Sequence, residues 1–269
     1  AHLEDEDGKV IDDLTDRVGF REVRTQGKDI LLNGKKLQIK GFCRHEDHPQ
    51  FGCALPLSAI MQDLQLARDM GANSIRTSHY PNDELFLDLC DELGILVWEE
   101  NHARGLSEEQ MKNPNFERQC ENCIREMIAA HYNHPSIYIW GILNECASDN
   151  KGLRTDSPWY KVIGEEYIEK AFEYARKYAD KDVKLFINDY GMTSPERRKT
   201  YTALVKKIWD QGNIDGIGMQ SHHDRENFDV AQIETSIYAF SAIADGIEIQ
   251  LTELDMHYND NSEAAMKEQ

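Results

Sequence analysis

Two glutamates at the ends of apolar runs are the residues of this chain best placed to do chemistry. Trp140-Gly141-Ile142-Leu143-Asn144-Glu145 and Ile247-Glu248-Ile249-Gln250-Leu251-Thr252-Glu253-Leu254-Asp255 each read as a buried strand that closes on an acid. A carboxylate at the end of a hydrophobic strand is costly unless something compensates it. Two such acids, far apart in sequence, predict a pair brought together at one end of a parallel sheet. Paired carboxyl groups are the minimum equipment for cleaving a glycosidic bond.

The elements that must position them follow from periodicity. Strand-like runs cover Lys36 to Cys43, Ala72 to Thr77, Ile95 to Trp98, Ser136 to Asn144, Val183 to Asn188, Ile214 to Gln220 and Ile247 to Glu253. Between them, apolar residues fall at helical spacing over Leu57 to Met70, Asp83 to Leu93, Asn115 to Tyr132, Ile163 to Tyr178, Ser194 to Trp209 and Ala231 to Ile243. Gly71, Gly94 and Gly212 follow helices, where a left-handed cap is expected. Alternating strands and helices mean an α/β protein with a parallel sheet covered by helices.

A doubly wound sheet and a TIM (β/α)₈-type barrel share this pattern, and the polar residues favour the barrel. Arg44/His45, Arg76/His79, Glu99/Glu100, Asn144/Glu145, Asn188/Asp189, Gln220/His222 and Glu253/Asp255 all cluster just past strand ends. A barrel gathers all of those ends around one mouth, whereas a doubly wound sheet uses a single switch point. No Gly-rich phosphate loop follows any strand. After Glu253 come only a loop to Asn261 and a helical start from Ser262, so strand 8 and helix 8 are expected to be lacking. Val18 to Asn33 reads as an N-terminal β-hairpin turning at Gln26-Gly27. Residues 1–269 are read as one barrel domain.

Composition narrows the function classes. The net charge of −19 argues against nucleic acid, and mildly against a strongly anionic polymer as substrate. No apolar run approaches the roughly 18 residues of a membrane span. The first residues do not resemble a signal peptide, which leaves a cytoplasmic or mature secreted location open. The absence of an initiator Met points to a processed chain or a fragment. All six cysteines precede residue 147. Cys120 and Cys123 form a C-x-x-C inside a helical pattern without a second ligand pair, which predicts structural thiols rather than a redox or metal site.

Here two families become recognisable, one in each half. Residues 18–148 resemble the catalytic barrel of glycoside hydrolase family 2, the β-galactosidase and β-glucuronidase family. The resemblance is carried by Val18-Gly19-Phe20-Arg21, Gly41-Phe42-Cys43-Arg44-His45-Glu46-Asp47-His48-Pro49, Asn73 through Pro81, and His134-Pro135-Ser136 leading into Trp140 and Asn144-Glu145. Residues 151–260 resemble the family 10 xylanases. The motifs there are Gly152-Leu153-Arg154, Ser157-Pro158-Trp159-Tyr160, Leu185 through Tyr190, Ile214 through His222 and Thr252-Glu253-Leu254-Asp255. The junction falls near residues 146–152, and the chain reads as a half-barrel chimera of two retaining families.

The resemblance implies roles. Glu145 is carried over as acid/base and Glu253 as nucleophile of a double displacement on a β-linked carbohydrate of xylan or aryl-glycoside type. Asn144 is similar to the asparagine that bonds the sugar 2-hydroxyl, and His222 to the histidine that bonds the nucleophile. Arg76 is read as a positioner of Glu253. His45, His79, Gln220 and Trp159 complete the expected substrate contacts, although Trp159 also reads as a residue packed on the helix that follows. No cofactor is expected. His45, His48 and His79, and His222-His223-Asp224, lack the closed ligand set of a structural metal, so no metal is expected either. The rival reading is a catalytically inactive barrel that binds carbohydrate or is purely structural. Open edges on the first and last strands are expected to invite self-association.

Overall fold

The computed structural model describes residues 1–101, 106–142, 144, 145, 154–181, 183–258, 260 and 262–268. Cys146, Gly152, Leu153 and the junction expected near residues 146–152 lie outside them.

The chain opens on an antiparallel pair, β1 (His2–Glu4) with β2 (Val10–Asp13). An antiparallel meander follows: β3 (Val23–Gln26), β4 (Asp29–Leu32) and β5 (Lys35–Leu37). The expected hairpin is its first two strands, with Gln26 opposite Asp29 and the turn at Gly27-Lys28. Next come β6 (Gly41–Arg44), α1 (Leu57–Asp69), β7 (Ser74–Thr77), α2 (Glu84–Leu93) and β8 (Leu96–Glu100). After α3 (Glu108–Met111) and α4 (Phe116–His131), β9 (Ile137–Gly141) completes a sheet of order β6-β7-β8-β9. β6 and β7, and β7 and β8, pair in parallel.

The second half contains α5 (Pro158–Ile163), α6 (Tyr167–Tyr178), β10 (Phe186–Asp189), α7 (Pro195–Asp210) and β11 (Gly216–Met219). It continues with β12 (His222–Asp224), α8 (Val230–Ser241), β13 (Glu248–Leu251), β14 (Asp255–His257) and α9 (Glu263–Glu268). β10, β11 and β13 form a parallel sheet in that order, and β12 pairs in parallel with β14.

Local chemistry explains the boundaries. Asp83 caps α2 by accepting from the Leu85 amide, and Gly94 closes it at φ 69°, where a side chain would be strained. Ser157 and Ser194 cap α5 and α7, each followed by proline at the first helical position. Lys36 to Cys43 was expected as one strand but is two. Asn73 causes the break: its amide donates to the Gln38 carbonyl and accepts from the Lys40 amide, both at 2.8 Å. Those backbone groups are thereby withdrawn from a continuous ladder. The helix expected from Ile163 begins instead at Tyr167, because α5 ends at Ile163 on Gly164 with φ 103°.

The chain forms two compact units, residues 1–99 with 127–140, and residues 100–126 with 141–269. Each has its own hydrophobic core. In the first, Ile60, Leu64, Phe86, Leu87, Ile75, Val97 and Ile137 pack α1 and α2 on the sheet. In the second, Ile168, Phe172, Leu204, Val205, Ile208, Ile187, Ile217 and Phe240 do the same for α6, α7 and α8.

Candidate active site

In the second unit the strand register puts polar residues at the C-terminal ends of adjacent strands. The Gln220 amide donates to the Asp189 carbonyl at 3.1 Å, and the Glu253 amide donates to the Gln220 carbonyl at 3.1 Å. Backbone bonds thus line up Asp189, Gln220 and Glu253 along one rim. Asn188 opposes Gly218, which opposes Gln250, so these residues share one face of the sheet. Ile187, Ile217 and Met219 face the other way, into the core.

The Glu253 carboxyl is held at both oxygens. Asn188 Nδ2 donates to Oε1 at 3.0 Å. His222 Nε2 lies 3.2 Å from Oε2, while its Nδ1 lies 2.7 Å from Asp255 Oδ2. The pairing of β12 with β14 sets His222 opposite Asp255 and so fixes the ring between the two acids. A neutral imidazole donates to one of these carboxylates only, and an imidazolium to both. The side chain of Glu253 is 9% exposed.

Glu145 and its neighbour Asn144 follow β9, with Asn144 buried and Glu145 half-buried. Glu145 takes a left-handed backbone conformation at φ 49°, as does Ser221 at φ 65°, the residue between Gln220 and His222. Such conformations cost on the order of 1–3 kcal/mol in non-glycine residues and concentrate at functional sites. Gln220 is fully buried, and neither its amide oxygen nor its amide nitrogen has a hydrogen-bond partner among the described residues. An orphaned buried amide is rare and needs a reason.

Asp189 is fully buried beside this rim. Its carboxylate accepts from the Tyr201 hydroxyl, from the Tyr190 amide at 2.8 Å, and faces Arg197 Nη2 at 3.2 Å. Burial pushes its pKa up to about 6 against the pull of Arg197, Tyr201 and the Tyr190 amide, and the charge of Glu145 adds to the rise.

The remaining expected site residues are placed as follows. Trp159 is buried in the second core with its ring 5.4 Å from that of Phe116. Arg76, His45 and His79 belong to the first unit. Arg76 lies in β7 with its guanidinium 4.5 Å over the Trp98 ring and Nη1 3.8 Å from Cys43 Sγ. The His45 and His79 rings meet edge-on at 5.2 Å. The described cysteines are free. Burial, with smaller contributions from Cys123 and Glu117, pushes the Cys120 thiol up to about 11, and burial raises Cys123 as well. Neither is poised to react as a thiolate.

Asp88, Asp91 and His134 bring possible ligand atoms within 4.8 Å of one another. Both Asp91 oxygens are already engaged, Oδ2 with His134 Nδ1 at 2.8 Å and Oδ1 with the Ser136 amide at 2.9 Å. The group ties α2 to the start of β9. Sequence reading left three contributors without a role: Asp255 behind His222, Thr252 behind Asn188, and Arg197 behind Asp189. A polar residue following each strand was visible for the first two. Nothing in the sequence singled out Arg197, which reads as a surface cation of α7 but is 6% exposed.

Parallel strands wrapped by helices, with acids and their amide and imidazole partners at the strand ends, define the class: a glycoside hydrolase type of α/β chain. More particularly, the chain belongs to glycosyl hydrolase family 10, whose sequence profile matches residues 94–269. The family 2 resemblance of the first half is equally present. A β-galactosidase of Thermoanaerobacterium thermosulfurigenes is 34% identical over 197 residues, covering 70% of this chain and 26% of that protein. Endo-1,4-beta-xylanase A of Thermotoga maritima is 48% identical over 129 residues, covering 47% of this chain and 12% of its own length. The crystal structure of a GH2 beta-galacturonidase from Eisenbergiella tayi, bound to galacturonate, superposes with a TM-score of 0.71 at 46% identity. That match covers 98% of this chain and 44% of the other. The chain therefore spans only part of the relatives it resembles.

Proposed function

We propose that this chain carries the chemistry of a retaining β-glycoside hydrolase, with Glu253 as nucleophile and Glu145 as acid/base. One observation carries the reading: Glu253 ends its strand with one oxygen on Asn188 and the other facing a histidine that is itself held by Asp255. A carboxylate held this way is oriented for attack. In the first step Glu253 attacks the anomeric carbon while Glu145 protonates the departing oxygen. A glycosyl ester forms on Glu253 and the glycosidic C–O bond breaks. In the second step Glu145 takes a proton from water, the water attacks the anomeric carbon, and the ester bond to Glu253 breaks. Asn144 bonds the sugar 2-hydroxyl. The orphaned Gln220 amide supplies one donor and one acceptor for sugar hydroxyls, a demand a deoxy analogue leaves unmet.

The substrate we propose is a β-linked neutral sugar of xylan-oligomer or aryl-glycoside type. A β-uronide is the second reading, favoured by the similarity to the galacturonate-bound structure. A beta-glucuronidase of Bacteroides uniformis, 26% identical with a TM-score of 0.69, is covalently bound to a cyclophellitol-6-carboxylate aziridine. Such an adduct agrees with a nucleophile of this type. The architecture we propose is one (β/α)₈-type barrel domain, with Arg76, His45 and His79 as further site residues. Self-association through sheet edges belongs to the same reading.

Glu145→Gln and Glu253→Gln should each lower turnover of an aryl β-glycoside by at least about a thousandfold. Mass spectrometry after incubation with a 2-deoxy-2-fluoro aryl β-glycoside should find the label on Glu253. Sugar binding without turnover in the unaltered chain would replace this reading with the inactive-barrel one.

A further inference from the structure

At the end of the second sheet, the Thr252 hydroxyl sits behind the nucleophile, with the Asn188 side chain between them. Thr252 Oγ1 donates to Asn188 Oδ1 at 2.5 Å, and Asn188 Nδ2 donates to Glu253 Oε1 at 3.0 Å. A side-chain amide has two orientations related by a half-turn. In one, Asn188 offers its N–H to Glu253. In the other, it sets a carbonyl oxygen against a carboxylate oxygen, acceptor facing acceptor. The single Thr252 proton given to Oδ1 favours the first. Without it, the oxygen end of the amide loses its donor and the amide is free to swing away from Glu253.

The space for this relay is made by a glycine. Gly218 lies across from Asn188 in the strand register. A Cβ at Gly218 would stand 2.9 Å from Asn188 Oδ1 and 2.9 Å from Thr252 Cγ2. Both groups are thus seated where any side chain on β11 would be. His222 governs the other oxygen of Glu253, so the two contacts together set the plane of the carboxyl group. That plane decides which lone pair meets the anomeric carbon.

We propose that Thr252 is a positioning residue of the nucleophile: it locks the Asn188 amide in the one orientation that pins Glu253 Oε1, in space left open by Gly218. The inference rests on the nucleophile role proposed above for Glu253. Pinning matters most when the carboxylate moves onto the anomeric carbon. Loss of the lock is therefore expected in kcat, with KM little changed.

The test compares the full chain with Thr252→Val, which keeps the branched shape without the hydroxyl, and with Thr252→Ser, which keeps the hydroxyl without the methyl. Thr252→Ala is the second hydroxyl-free variant. With an aryl β-glycoside, Val and Ala should lower kcat about 10- to 100-fold at nearly constant KM, and Ser should remain within about threefold of the parent. The rate at which a 2-deoxy-2-fluoro aryl β-glycoside labels Glu253 should fall in parallel. If the parent chain is not labelled on Glu253, the nucleophile assignment fails, whatever the variants do. If it is labelled, and Thr252→Val reacts at the parental rate, the lock is overturned. It is also overturned if both hydroxyl-free variants unfold while Thr252→Ser does not, because the hydroxyl is then a requirement of the fold.

Discussion

A buried acid with a raised pKa is a liability that the surrounding residues must offset. Asp189 titrates near 6 in the fold against an ordinary value of 3.8, so between those values the folded chain holds a proton that the unfolded chain has lost. By linkage, its contribution to stability is fully present below the lower value and is lost as pH rises through the upper one, by up to about 3 kcal/mol. Urea titrations should therefore show the parent losing ground to Asp189→Asn as pH rises from about 4 to about 6, superposed on the constant cost of leaving Arg197 unpaired. A difference that does not change with pH would mean that Asp189 is ionised throughout. At this scale the sequence was most informative where chemistry sits at strand ends. Glu145, Asn144, Gln220, His222 and Glu253 each stand out as an acid, amide or imidazole after an apolar run, a pattern that alone also fits a surface acid, a turn asparagine or a buried histidine. Thr252 and Arg197 do not stand out. A threonine beside a strand end and an arginine on a helix are ordinary, and only the folded structure brings out that they touch Asn188 and Asp189.

Elements are joined here by polar ties as well as by apolar packing. His131, in the last turn of α4, places Nδ1 2.8 Å from Glu99 at the end of β8, and Glu99 is fully buried. Burial works against a charged imidazole. The hydrogen bond and charge of Glu99, with Glu84 and Asp83 beyond it, outweigh that effect, and the His131 pKa is raised from 6.5. The tie therefore stabilises the fold fully below the unfolded value and weakens as pH rises through the folded one. Thermal denaturation should show the advantage of the parent over His131→Gln to be larger near about pH 5.5 than near about pH 9. An equal advantage at both would mean that the imidazole is neutral in the fold. The helices were legible from their apolar period, and the glycines at 71, 94 and 212 do adopt positive φ. Strand limits were less legible. The break between β5 and β6 depends on Asn73, more than thirty residues downstream, and no local pattern reveals such a partner.

The whole chain carries a net charge of −19. Like charges on one chain repel, and that repulsion is screened over about 10 Å at 0.1 M salt. The midpoint of thermal unfolding should rise between about 10 mM and about 300 mM sodium chloride; a flat response would mean that the surface acids are already locally paired. No helix among the described residues is long and apolar enough to cross a membrane. The mixed resemblance was readable from motifs, but the physical partition was not, because it depends on which contacts are dense rather than on which residues are familiar. That partition divides the chain at 99/100, 126/127 and 140/141, while the family 10 match runs from residue 94. Asn144, Glu145, Asn188, Gln220, His222, Thr252 and Glu253 consequently all travel in the second unit. A lineage that inherits the second unit therefore inherits these seven residues as a block.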